Sequence, residues 1–173
     1  MTSLQALSEK DRRLVAAWAA DCAERVLHIF EAEAPDDDRA RDAIARARAF
    51  AGGELHAAGE IRRRFVANRA AQVVSSPAAK AAAWAAGQAS GVAHMGAHAL
   101  GAAAYAAKAA ELDAPGAGGS AEIAWQLDHL SEPVREALRL LPPLGSDASG
   151  PLGAGLLASG VLGTNIRQIQ AGL

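Results

Sequence analysis

Residues 77–112 read PAAKAAAWAAGQASGVAHMGAHALGAAAYAAKAAEL, and this stretch decides the fold. Between Lys80 and Lys108 it carries no formal charge. Ala is the best helix former, and the alternating β-branched pattern of a strand is absent. The uncharged run is long enough to span a bilayer core of ~30 Å. It is poor in the Leu, Ile and Phe that drive insertion, and it contains Gln88, Ser90, His94 and His98. A buried helical segment is therefore expected, and a membrane span is not. Gly87, Gly91, Gly96 and Gly101 interrupt a segment already too long for an average bundle helix. A break near Met95-Gly96 is expected to divide it in two. Ser75-Ser76-Pro77 opens the first half, with Ser as cap and Pro at the first helical position.

Outward from this stretch the punctuation is again helical. Ser8 followed by Asp11 resembles a capping box, so a helix is expected from there to about Ala34. Pro35 and Asp36-Asp37-Asp38 end it and open a second helix, to Ala51, which Gly52-Gly53 stops. A third is expected from Glu54 to about Val74. After the loop Asp113–Gly119, Ser120 is expected to cap a sixth helix, and Ser131-Glu132-Pro133 to restart the chain as a seventh that ends at Pro142-Pro143. The expected architecture is all-α: a compact bundle of six or seven helices, with the Ala/Gly-rich helices central and no sheet. The expected organisation is one helical domain over residues 1–141. Residues 142–173 are then a Gly/Ser/Leu-rich C-terminal tail. This tail reads as a loosely ordered terminus, or as a short apolar helix around Leu152–Leu162 that docks on the bundle or a partner.

Composition narrows the function classes. With 173 residues, 51% hydrophobic and 21% charged, the chain is globular rather than disordered. Roughly a quarter of it is Ala. The net charge is -2, so no global basic field would attract nucleic acid or anionic lipid. A lone Cys22 cannot form an internal disulfide, which fits a reducing compartment such as the cytoplasm. The first ten residues have no basic stretch followed by an apolar run, so no secretory signal is expected.

Several ionisable groups sit where an apolar face is expected. On the first helix Leu14, Val15, Trp18, Cys22, Val26 and Ile29 form one arc, with Arg25 inside it and Asp21 at its edge. Asp21 and Arg25 are spaced i, i+4 and can pair. They then form a structural tie between helices or face an internal pocket. His94 and His98 share the same spacing, which suits two ligands of one metal. Met95 stands where a zinc protease has Glu, no Glu-x-x-His motif is present, and no third ligand is evident, so no metal is expected. If the helix continues, Tyr105 shares the face of His94. His98, Tyr105 and Lys108 could together hold an anion or move a proton. The candidate pocket is thus Trp18, Asp21, Arg25, His94, His98, Tyr105 and Lys108. Cys22 reads as an inert small hydrophobe. Arg62-Arg63-Arg64 with Arg69 scatters around a helix and reads as solvated surface or as a contact for an acidic partner. Phosphate loops and nucleophile elbows are absent, and no cofactor is expected.

Two segments are familiar together: Leu14–Leu27, reading LVAAWAADCAERVL, and Ala93–Ala106, reading AHMGAHALGAAAYA, with Trp125-Gln126-Leu127 near the end. On these the chain resembles the Immunity protein five-like family, small actinobacterial helical proteins, from about Leu14 to Leu141. The resemblance implies a cytoplasmic antidote that neutralises a toxin by binding it. Similar chains are sometimes labelled exonuclease, which the lack of an acidic metal cluster and a basic groove does not support. Two functions follow. One is an immunity-type binding protein. The other is a small cofactor-independent enzyme or ligand-binding protein of a biosynthetic cluster, with a polar pocket between helices. Expected partners are a protein toxin or a small-molecule ligand, with a homodimer left open. Nucleic acid and membrane are not expected.

Overall fold

A computed structural model describes residues 3–61, 63 and 65–173. The first helix, α1, spans Glu9–Glu33. The Ser8 hydroxyl caps it by accepting the Asp11 N–H at 3.1 Å, and donates to the Asp11 carboxylate at 2.6 Å. Of its expected apolar arc, Val15, Trp18, Cys22 and Val26 are buried, Leu14 and Ile29 are half-buried against the core, and Phe30 is buried beside them. Helix α2 (Arg39–Ala51) lays Ala40, Ala43, Ile44, Ala47 and Phe50 into the same core. Two short helices follow, α3 (Ala57–Ile61) and α4 (Val66–Ala70). Ser76 then caps α5 (Pro77–Gly91), and after a turn α6 runs over His98–Asp113. The chain continues through α7 (Gly118–Asp128), α8 (Glu132–Arg139) and α9 (Gly160–Ala171).

Helices α5 and α6 share the most extensive interface of the molecule, and α1 packs on both. Almost every Ala of α5 and α6 is buried. Methyl groups fill little space, so the core excludes water by bringing backbones close together rather than by interlocking large side chains. The break expected near Met95-Gly96 falls between Gly91 and His98. Here the Gly96 and Ala97 N–H groups donate to the Ala6 and Gln5 carbonyls at 3.0 and 2.9 Å. No helix among the described residues is long and apolar enough to cross a membrane.

The bundle is all-α, but the described residues form nine helices, not six or seven. Two differences account for the count. The single helix expected over 54–74 is divided into α3 and α4. Consecutive arginines put cations in the way of any apolar stripe, and turn bonds replace the helical ladder: Arg63 N–H to the Glu60 carbonyl and Val66 N–H to the Arg63 carbonyl, both 3.0 Å. The second difference is α9. Composition favours a loose terminus here, yet Leu162, Ile166 and Ile169 are buried against α6, and Asn165 Nδ2 donates to the Ala104 carbonyl at 3.1 Å. In addition α7 begins at Gly118 rather than after Ser120. No strand occurs among the described residues, only an isolated bridge between Asp147 and Gly153.

The segment between α8 and α9 is fastened from the far end of the chain. Gln5 is buried; its Nε2 donates to Asp147 Oδ2 at 2.7 Å and to the Ser149 carbonyl at 2.8 Å. Its Oε1 accepts the Leu152 N–H at 2.8 Å. Gly150, with φ +84°, passes so close that a Cβ there would lie 2.6 Å from Gln5 Oε1. Replacing Gln5 with Ala should leave the buried Leu152 N–H without its acceptor, at a cost of ~1–3 kcal/mol. The expected readout is faster hydrogen exchange at the Leu152 amide, with the amides of α5 and α6 unchanged.

Candidate functional site

A cavity of about 460 Å³ opens between α4, α5, α6 and residues 150–157. Its lining includes Asn68 from α4; Trp84, Gln88 and Gly91 from α5; His94 and Met95 from the turn; and His98 and Tyr105 from α6. Phe65 and Leu156 stand at its edge, 50% and 66% exposed. Trp84 and Tyr105 stack with centroids 5.9 Å apart and planes 18° from parallel. Burial raises the Tyr105 pKa, so the phenol stays neutral and able to donate.

The polar side chains of this cavity fit into notches cut by glycine. A Cβ on Gly87 would lie 1.9 Å from Asn68 Oδ1; on Gly101, 2.2 Å from Gln88 Oε1; on Gly91, 3.0 Å from His98 Cδ2. His98 Nδ1 and Gln88 Oε1 are 2.8 Å apart and share a hydrogen bond. Asn68 Oδ1 is buried and accepts no hydrogen bond. A second cavity of about 550 Å³ adjoins the first. The two have Phe65, Asn68 and Trp84 in common, and the second adds Arg69, Gln72 and Lys80.

The sequence-based set is distributed between this cavity and two other places. His94, His98 and Tyr105 line the cavity, whereas Trp18, Asp21, Arg25 and Lys108 do not. His94 lies in the turn and His98 starts α6, so the two are not on one continuous helix. Asp21 pairs with Arg48 of α2 at 2.5 Å rather than with Arg25. Arg25 reaches α7, where its Nε donates to Glu122 at 2.8 Å and its guanidinium lies 4.0 Å over the Trp125 ring. The Trp18 indole donates to the Gln126 carbonyl at 3.0 Å. Lys108 is half-buried on α6. Burial, with Glu122 and Asp21 nearby, pushes the Cys22 thiol well up, so it stays protonated and unreactive. Of the basic run, Arg62 and Arg64 lie outside the described residues, Arg63 approaches Asp42 at 3.6 Å, and Arg69 lines the second cavity. Among the described residues no group of three or more His, Cys, Asp or Glu could hold a metal.

Sequence reasoning missed Trp84, Gln88 and Asn68. A signal was present: Trp84 and Gln88 are spaced i, i+4 on α5, alongside Gly87 and Gly91 at the same spacing. It pointed to one face with large groups beside missing ones. Nothing local marks residues 150–157 as the cavity's outer wall.

The described residues form a small all-α bundle with two adjoining ring-lined cavities and several interhelical ion pairs. A family model described as Imm-5 like putative immunity protein matches residues 5–133, and the chain belongs to that family. No curated protein and no solved structure matches it.

Proposed function

We propose that the chain is an immunity-type protein that neutralises a protein toxin in the cytoplasm by direct contact. The observation that carries this reading is membership of the immunity-protein-like family across residues 5–133. The pairing of Asp21 with Arg48 and of Arg25 with Glu122 is in keeping with it. These groups hold helices together and are not gathered around a reacting atom. Phe65 and Leu156 offer a partner apolar surface at the cavity mouth. The test is coexpression with a toxin encoded beside this gene. Growth should be rescued and a stable complex should elute as one species. Phe65→Asp with Leu156→Asp should weaken it by ~2 kcal/mol or more, about thirtyfold in Kd. Absence of both rescue and complex would sink the reading.

A second reading, a small ligand-binding protein or cofactor-independent enzyme, is favoured by the cavity with its neutral phenol and two imidazoles.

A further inference from the structure

The two adjoining cavities differ in chemistry. The first offers aromatic faces from Trp84 and Tyr105, apolar edges from Phe65, Met95, Leu156 and Leu157, and an unpartnered buried acceptor, Asn68 Oδ1. The second offers Arg69 and Lys80. The described lining of both contains no Asp or Glu. Neither Arg69 nor Lys80 makes an ion pair among the described residues. Glu33, whose carboxylate Lys80 helps to hold low, is already engaged by the Ser75 and Ser76 N–H groups. A cleft with one sign of charge at one end and flat apolar walls at the other selects an anion joined to a ring.

We propose that this composite cleft binds an aromatic carboxylate. The ring enters the chamber beside Trp84 and Tyr105, and the carboxylate lies towards Arg69 and Lys80. A ring N–H or O–H can supply the hydrogen bond that Asn68 Oδ1 lacks. Leaving that acceptor buried and unmatched is costly, so a donor-bearing ring is preferred over a bare one. The same chemistry has two sources: a free aromatic acid, or an aromatic side chain flanked by acidic residues on a protein partner. The site shares Phe65 and Leu156 with the surface offered to a toxin, but binding of the probes is measured on the isolated chain, so either reading can fail alone.

Calorimetric titration with indole-3-acetate, its neutral isostere indole-3-acetamide, and a short acetylated peptide with one Trp between Asp residues tests this. The acid or the peptide is expected to bind at least about tenfold more tightly than the amide, and to weaken as salt rises from 50 to 500 mM. An Arg69→Gln, Lys80→Gln double variant, both sites on the surface, should remove about tenfold from the charged probe and leave the amide unchanged. Gly87→Ala drives its new methyl into the space of Asn68 Oδ1 and should weaken every probe that binds. Tighter binding of the acid than of the peptide identifies a free ligand; the reverse order identifies a protein segment. Equal affinity for acid and amide, insensitivity to the double variant, or no binding of either charged probe at millimolar concentration would overturn the proposal.

Discussion

Replacing Trp18 with Ala is expected to destabilise the protein by about 4–5 kcal/mol, a large part of a domain's usual ~5–15 kcal/mol. Trp18 is buried where α1 meets α7. Truncation removes a large ring from a core rich in methyl groups, and Ala neighbours have no longer side chains with which to refill the space. It also removes the donor to the Gln126 carbonyl, at ~1 kcal/mol or more for a buried acceptor left alone. The loss should spread, because the Gln126 side chain is buried too and donates to the Ala103 carbonyl of α6 at 3.0 Å. One indole thus fastens α1 to α7 at the point where α7 is fastened to α6. Trp18→Phe keeps one of the two fused rings, leaves a smaller cavity and loses the hydrogen bond, so it should cost ~1–3 kcal/mol. Thermal melts followed by circular dichroism should place Trp18→Ala about 10–20 °C below the parent, at ~2–4 °C per kcal/mol for a chain of this size. A drop of under about 3 °C would mean that α7 collapses onto α1 at little cost, and that the Ala-rich core is softer than its packing implies.

The parts of the fold that were legible in the sequence are those written in local chemistry. Ser8 and Ser76 cap α1 and α5 because a hydroxyl in that position meets a helix N–H whatever the tertiary context. The charge-free run 81–107 became the centre because there is nowhere else to put so many methyl groups. What local chemistry does not carry depends on distant partners. The tail 142–173 is poor in charge and rich in Gly, which reads as loose or as a short apolar helix around Leu152–Leu162 that docks on the bundle or a partner. Its order comes from Gln5 at the other end of the chain and from the α6 surface that receives Leu162, Ile166 and Ile169. Asp21 and Arg25 show the same limit. Their i, i+4 spacing permits a pair, yet each has a better-placed partner on another helix, Arg48 and Glu122, which local spacing cannot reveal. His94, His98 and Tyr105 were visible as polar groups on an apolar segment. The cavity they line also needs Asn68 from α4 and the wall around Leu156, both remote in sequence.

Arg25→Ala separates structure from function in this molecule. The Glu122 carboxylate is buried and takes its hydrogen bond from Arg25 Nε at 2.8 Å, while Arg25 itself is 38% exposed along its side chain. Removing the guanidinium leaves a buried carboxylate without its cation and strips a stacked group from Trp125. A fully buried pair broken in this way costs ~3–5 kcal/mol. Water can reach this side of the pair, so about 2–3 kcal/mol is expected, of which the cation–π contact supplies ~0.5–1 kcal/mol. Glu122→Gln added to Arg25→Ala should recover part of that loss, because a neutral amide is cheaper to leave in the same place. A double-mutant cycle by urea denaturation should therefore give a coupling of ~1–2 kcal/mol between the two positions. Additive losses would show that Arg25 acts through Trp125 alone and that water already solvates Glu122. Arg25 is also absent from the lining of both cavities, so Arg25→Ala measured well below its melting temperature should bind an aromatic acid as the parent does. Stability lost with binding kept is the signature of a tie between helices. Binding lost with stability kept would instead put α1 and α7 in contact with the ligand, and would make the paired charges part of the site they now stand apart from.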